Sequence, residues 1–134
     1  MLTLDEKKNL SQLRLEHANK CLNSAKLLVE ANDFASAANR SYYAVFHSIR
    51  AVLAFDGIDM KKHSAIIAEF RRLYIKTGKI DPSLSKIITN LFDTRNDSDY
   101  DDFFIIDKTK VKEQIGYAEL FVKKIKEFLS DNKA

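Results

Sequence analysis

The run ASAANRSYYAVFHSIRAVLAFDGI, residues 35–58, decides the fold class. At ~100° per residue, Tyr42, Val45, Phe46, Ile49, Val52 and Leu53 cover a wide apolar arc of one helix. An arc that wide can be buried only if the helix is the centre of a bundle. The opposite arc gathers Ser36, Asn39, Arg40, Tyr43, His47 and Arg50. A merely solvated face usually carries Lys and Glu. This one carries Arg, Tyr, His and Asn, side chains suited to phosphate contact, stacking or a subunit interface, although a wet face that happens to lack lysine has the same composition.

Asp33 is a natural N-cap for this second helix, and Gly57 can take the left-handed conformation that closes it. Upstream, Leu10, Leu13, His17, Cys21, Ala25, Leu28 and Val29 recur at helical spacing and predict a first helix from about Asp5 to Ala31, with His17 and Cys21 in the core. Downstream, a third helix is expected from about Lys62 to Thr77, stopping at Gly78. Asp81-Pro82 reads as cap plus first-turn proline of a fourth, which carries Leu84, Ile87, Ile88, Leu91 and Phe92. Asp107 caps a fifth, running to about Ser130 with a stripe of Val111, Ile115, Ala118, Val122, Ile125 and Leu129. Five helices in one all-α bundle follow, a single domain over residues 1–134 with its core in about 5–130.

Composition agrees. Three glycines and one proline in 134 residues are too few to punctuate a small all-β domain. The lone Cys21 permits no intramolecular disulfide and suits a reducing cytosol. The opening MLTLDEKKNL is too charged for a signal peptide, and no apolar run approaches the ~20 residues that span a bilayer. A soluble cytoplasmic domain with no membrane partner is the expectation. There is no glycine-rich phosphate loop, zinc spacing or nucleophile elbow, so kinase, zinc and common hydrolase classes lack support and no cofactor is expected.

The formal charge is +3, but DTRNDSDYDD (Asp93–Asp102) holds five aspartates around Arg95 for a local −4. This stretch reads as an acidic loop among basic helices. Asp97, Asp99 and Asp101 alternate as in a calcium loop. The sixth position would then be Asp102 instead of glycine and the twelfth Lys108 instead of glutamate, so the calcium pattern fails and no metal is assigned.

The central helix resembles that of the HEPN family of small helical proteins, with Arg40, Tyr42, Tyr43, Ala44 and Phe46 in the family's Tyr-Tyr-Ala-x-Phe core and Gly57 after Leu53. Lys62-His63 followed by Phe70 resembles the family's third helix. Leu91, Arg95-Asn96 and Asp99-Tyr100 resemble the end of its fourth. The likeness runs from about Leu13 to Leu129 and is strongest to the short stand-alone prokaryotic branch, often encoded beside a minimal nucleotidyltransferase. It implies an up-and-down bundle that forms a homodimer, with the arginine motifs of two subunits facing a shared cleft. It also implies a toxin–antitoxin setting, with RNA or a nucleotide as ligand.

Active family members are metal-independent RNA endonucleases that use an arginine followed, four to six residues on, by a histidine. The imidazole moves the proton of a ribose hydroxyl and the arginine stabilises phosphate charge. Here the arginine is Arg95, the histidine's place is taken by Tyr100, and no histidine follows in the chain. A phenol of pKa ~10 is a poor base at neutral pH. The expectation is therefore a nucleotide- or RNA-binding module partnering a nucleotidyltransferase. The alternatives are an endonuclease using Arg95 with Tyr100 or His47, or a non-catalytic helical scaffold. Candidate catalytic residues are Arg95 and Tyr100; candidate phosphate-binding residues are Arg95, Asn96, Arg40, Tyr43 and His47. Tyr100 is also open to three other readings: a core or hinge tyrosine, a stacking group, or a hydroxyl that the transferase modifies. His63 reads as a capping or loop-fixing residue.

Overall fold

A computed structural model describes residues 2–132. It contains five helices: α1 (Leu4–Glu30), α2 (Phe34–Phe55), α3 (His63–Phe70), α4 (Ser83–Tyr100) and α5 (Lys108–Asn132). A π-helical turn, Arg71–Ile75, prolongs α3, so the single third helix expected over 62–77 is an α-helix that widens in its second half. The widening buries Tyr74, whose hydroxyl donates to the Asp56 carboxylate. It also lets Arg71 tie α3 to α4 through Ser85 Oγ at 3.0 Å and Thr89 Oγ1 at 2.7 Å. None of the helices is long and apolar enough to cross a membrane.

The punctuation follows the sequence. The Asp33 carboxylate accepts from Ser36 N at 3.3 Å and that of Asp107 from Lys110 N at 2.7 Å. At α4 the N-cap is Pro82, which has no side-chain hydrogen bond to give, and Asp81 stands one residue further out, accepting from Ser83 N at 2.8 Å. Gly57 and Gly78 both take φ of +77°, the left-handed region that terminates a helix without a Cβ penalty. A three-residue connection makes α1 and α2 antiparallel neighbours, and α2 packs against α1, α3, α4 and α5. Tyr42, Val45, Phe46, Ile49, Val52 and Leu53 are all buried, which confirms α2 as the central element.

Three expectations need correction. In α1 the buried stripe is Ser11, Arg14, Leu15, Ala18, Cys21, Leu22, Ala25 and Val29, while Leu13 and His17 are exposed. Small residues (Ser11, Ala18, Cys21 and Ala25) make up half of that stripe, and α2 buries Ala37, Ala38, Ala44 and Ala51, so small side chains carry much of the helix packing. Second, the acidic stretch is no loop: α4 continues through it to Tyr100. Buried Leu91 and Thr94 and the i,i+4 pair of Arg95 and Asp99 hold those turns against the low helix propensity of aspartate. Alternate aspartates on a helix point ~200° apart, and among the described residues no three acidic, His or Cys side chains converge to hold a metal ion. Third, Tyr100 is not a core residue; it is 75% exposed at the C-terminal end of α4.

The segment after α4 is anchored by Ile106 and the half-buried Phe104. Ile106 is buried against Ala25, Val29, Ala37, Ala38, Val111 and Ile115, while Phe103 and Ile105 stand 93% and 89% exposed beside Tyr100.

Candidate functional site

Arg95 leaves the second-last turn of α4 and lies against the polar arc of α2. Its guanidinium carbon is 5.5 Å from the ring centres of both Tyr42 and Tyr43 and 5.9 Å from that of Tyr100. Its Nη2 reaches the Tyr43 hydroxyl at 3.4 Å and its Nη1 reaches Asn96 Oδ1 at 3.4 Å. Nε sits 3.0 Å from Asp99 Oδ2, an ion contact whose angle is too poor for a hydrogen bond. An arginine held by ring faces and one half-buried carboxylate keeps donors available for a further anion.

The second arginine approaches from α2. Arg40 stacks 5.0 Å from the Tyr43 ring centre and donates to Asn39 Oδ1 from Nε at 3.2 Å and Nη2 at 2.9 Å. Asn39 in turn donates to Asp99 Oδ2 at 3.3 Å. Tyr43 therefore lies between two guanidinium groups, and Asp99 links both through Arg95 and Asn39. Cys21 lies under Arg40, 3.9 Å from Nη1, and burial raises its thiol pKa.

All three histidines lie along this face. His47 lies one turn beyond Tyr43, their ring centres 6.1 Å apart, and meets His17 edge-on at 5.7 Å. Burial, then the charges of Arg50, His17, Arg40 and Arg14, push its pKa down to about 4, so it is neutral at physiological pH, and its Nδ1 is buried without a partner. His63 stacks on Phe46 at 4.2 Å and 27°, edge-on to Tyr43 at 6.0 Å. Its pKa is also lowered, by burial and then by Arg95 and Arg50. Tyr42, beneath the cluster, is pushed up to about 12 by burial and by Tyr43, against the opposing pull of Arg95.

All six candidate residues (Arg40, Tyr43, His47, Arg95, Asn96 and Tyr100) thus belong to one face, organised around Tyr43. His63 and His17 join it although neither was a candidate. The capping role expected of His63 is not what the structure shows: α3 has no side-chain hydrogen bond at its N-cap, and the imidazole is stacked instead. Its place after Lys61-Lys62 gave no signal, because the Phe46 contact is tertiary. His17 misled because the α1 stripe is rotated.

The suppressed imidazoles have a consequence for stability. His47 binds a proton more readily in the unfolded chain, where its pKa is near 6.5, than in the folded one. Its contribution to stability is therefore intact above that value and is lost as pH falls from there toward about 4. The wild-type denaturant midpoint is expected to drop between pH 7 and pH 5 by more than that of His47→Asn. Equal drops would show that His47 is not the group responsible.

Comparison with known proteins agrees with this architecture. A family model of the HEPN domain matches residues 11–128. A UPF0332 protein of Thermotoga maritima is 35% identical over 97% of this chain and 98% of its own length. Two proteins of Methanocaldococcus jannaschii are named as candidate toxins. MJ0142 is 30% identical, with 96% of this chain and 87% of its own covered; MJ0605 is 34% identical, with 90% and 89% covered.

Proposed function

This chain belongs to the HEPN domain family, and from that premise we propose that it is the toxin-type member of a toxin–antitoxin pair and binds RNA or a nucleotide at the face around Arg95. The observation that carries the reading is the setting of Arg95: a guanidinium among three tyrosine rings, with a second arginine across Tyr43. Phosphate takes the guanidinium donors, and exposed Tyr100 and His63 offer stacking surfaces for bases. The toxin names of two full-length relatives support the biological setting.

Binding is better supported than cleavage. Tyr100 stands where active family members carry a histidine, and a phenol is a weak general base. A second reading, a metal-independent endonuclease, is favoured by one observation: His47 and His63 are neutral imidazoles beside the same tyrosine. Incubation of pure protein with single-stranded RNA in excess chelator separates the two. Binding without cleavage supports the first reading, and cleavage abolished by Arg95→Ala supports the second.

The partner in this proposal is a minimal nucleotidyltransferase, and the chain itself pairs as a homodimer with two Arg95 faces toward one cleft. What supports both is the exposure of three large apolar side chains, Tyr100, Phe103 and Ile105, at and just after the end of α4. The 75% exposed Tyr100 hydroxyl is the group such a transferase would modify. After co-expression, intact-mass measurement should show a nucleotidyl adduct on the wild type and none on Tyr100→Phe. A pair that neither co-purifies nor yields an adduct would refute the partnership.

A further inference from the structure

One end of the polar arc remains unused by Arg95. Arg50, seven residues beyond Tyr43, lies about 10 Å further along α2 at ~1.5 Å per residue. Among the described residues its side chain forms neither an ion pair nor a hydrogen bond; the group that takes the nearby carboxylate is Arg14. Arg14, buried under the same face, donates from Nη1 to the Arg50 carbonyl at 3.2 Å and from Nη2 to Asp59 Oδ1 at 3.0 Å. His47 and His17 flank the pair. Two arginines side by side against a single carboxylate that is itself 65% exposed leave uncompensated positive charge. Burial and the neighbouring Arg14 already lower the pKa of Arg50, a mark of a site in want of an anion.

We propose that Arg50, backed by Arg14 and flanked by His47 and His17, is a second phosphate subsite, so that the ligand is a strand of several nucleotides and not a mononucleotide. The proposal rests on the reading of Arg95 as the first phosphate site. Tyr43, which the Arg95 guanidinium contacts, and Arg50 are about 10 Å apart along α2, a rise of roughly three stacked nucleotides at ~3.4 Å each. Within reach of both arginines lies the exposed ring of His63, a surface on which an intervening base stacks. A single nucleotide reaches one subsite only. Burial and then the positive charges around it hold His47 neutral, and an anion at Arg50 offsets the second of these, so strand binding raises the His47 pKa.

The test compares labelled hexauridylate, uridine 5′-monophosphate and inorganic tripolyphosphate on the wild type, Arg50→Gln and Arg95→Ala. Arg50→Gln should weaken hexauridylate about tenfold, leave the monophosphate within about twofold, and reduce the log–log salt slope by ~0.7, one phosphate contact fewer on a single strand. Asp59→Asn, which removes the competing carboxylate, should strengthen hexauridylate about twofold and guards against a folding defect in the glutamine variant. The His47 imidazole signals should titrate at higher pH with hexauridylate bound and unchanged with the monophosphate.

Equal hexauridylate affinity in wild type and Arg50→Gln overturns the subsite and leaves the Arg95 reading standing. Arg50-dependent tripolyphosphate binding as tight as the hexamer's overturns the strand assignment in favour of free polyphosphate. Failure of the wild type to bind any of the three overturns both the subsite and the Arg95 reading.

Discussion

Replacing Phe121 with alanine is expected to cost about 3–5 kcal/mol of folding stability. The side chain comes from α5, is fully buried, and meets Phe70 of α3 at 6.1 Å within the main core. Truncation there forfeits the transfer energy of an aromatic ring and leaves a cavity that rigid helices cannot close. Domains of this size have only about 5–15 kcal/mol in total, so the variant should sit near the edge of folding, with a melting point lowered by about 10–20 °C. Its neighbour Leu120 is 45% exposed, and Leu120→Ala should change stability by no more than about 0.5 kcal/mol. Thermal and urea melts of the two variants side by side check both numbers. A Phe121→Ala protein as stable as Leu120→Ala would mean that α5 does not pack as described.

The largest functional effect is expected at Arg95. Arg95→Ala removes charge-assisted hydrogen bonds to phosphate, each worth about 1.5–3 kcal/mol, and should weaken RNA binding roughly ten- to hundredfold. Its fold should survive. The partner it abandons, Asp99, has a side chain 28% exposed and can be solvated, so the stability change should stay below about 1 kcal/mol. Arg95→Lys should recover only part of the loss, because an ammonium lacks the planar fork and cannot lie flat among Tyr42, Tyr43 and Tyr100. Anisotropy titrations with circular dichroism as a fold control check the pair. Full recovery by lysine would reduce Arg95 to a bulk charge.

Much of the architecture was legible because it rests on local chemistry. The caps at Asp33 and Asp107 and the left-handed glycines at 57 and 78 need only a few neighbours to act. The apolar arc of α2 was legible because large side chains bury it. α1 was misread because its contact with α2 depends on small side chains, Ser11, Ala18 and Ala25, which carry little hydrophobic signal, while Leu13 and Leu27 lie in solvent. The end of α4 was misread because aspartates suggest a loop, and what holds the helix there is burial of Thr94 and the Arg95–Asp99 pair.

The site divides the same way. Arg40, Tyr43, His47 and Arg50 share an arc of one helix and could be grouped by counting residues. That Arg95 and Asn96 join them from α4 was carried by family resemblance, and that His63 lies on Phe46 could be known only from packing. Phe103 and Ile105 show the limit from the other side. Their apolar character suggests burial, but Ile106 and Phe104 are the side chains that anchor that segment.

In the proposed function, nucleic acid meets this protein at the Arg95 face. The competing surface is the α1–α5 groove, a cavity of about 400 Å³ where Lys108 and Lys112 outnumber Glu30 once Lys26 is paired with Glu119, a weak positive patch that attracts RNA without any dedicated site. NMR titration of the protein with single-stranded RNA, following arginine Nε–H, tyrosine ring and backbone amide signals, distinguishes them directly. The expected result is saturable shifts at Arg95, Arg40, Tyr43 and Tyr100, with the α1–α5 groove unmoved. Shifts confined to Lys26, Lys108, Lys112 and their neighbours, with the Arg95 signals unchanged, would contradict the account.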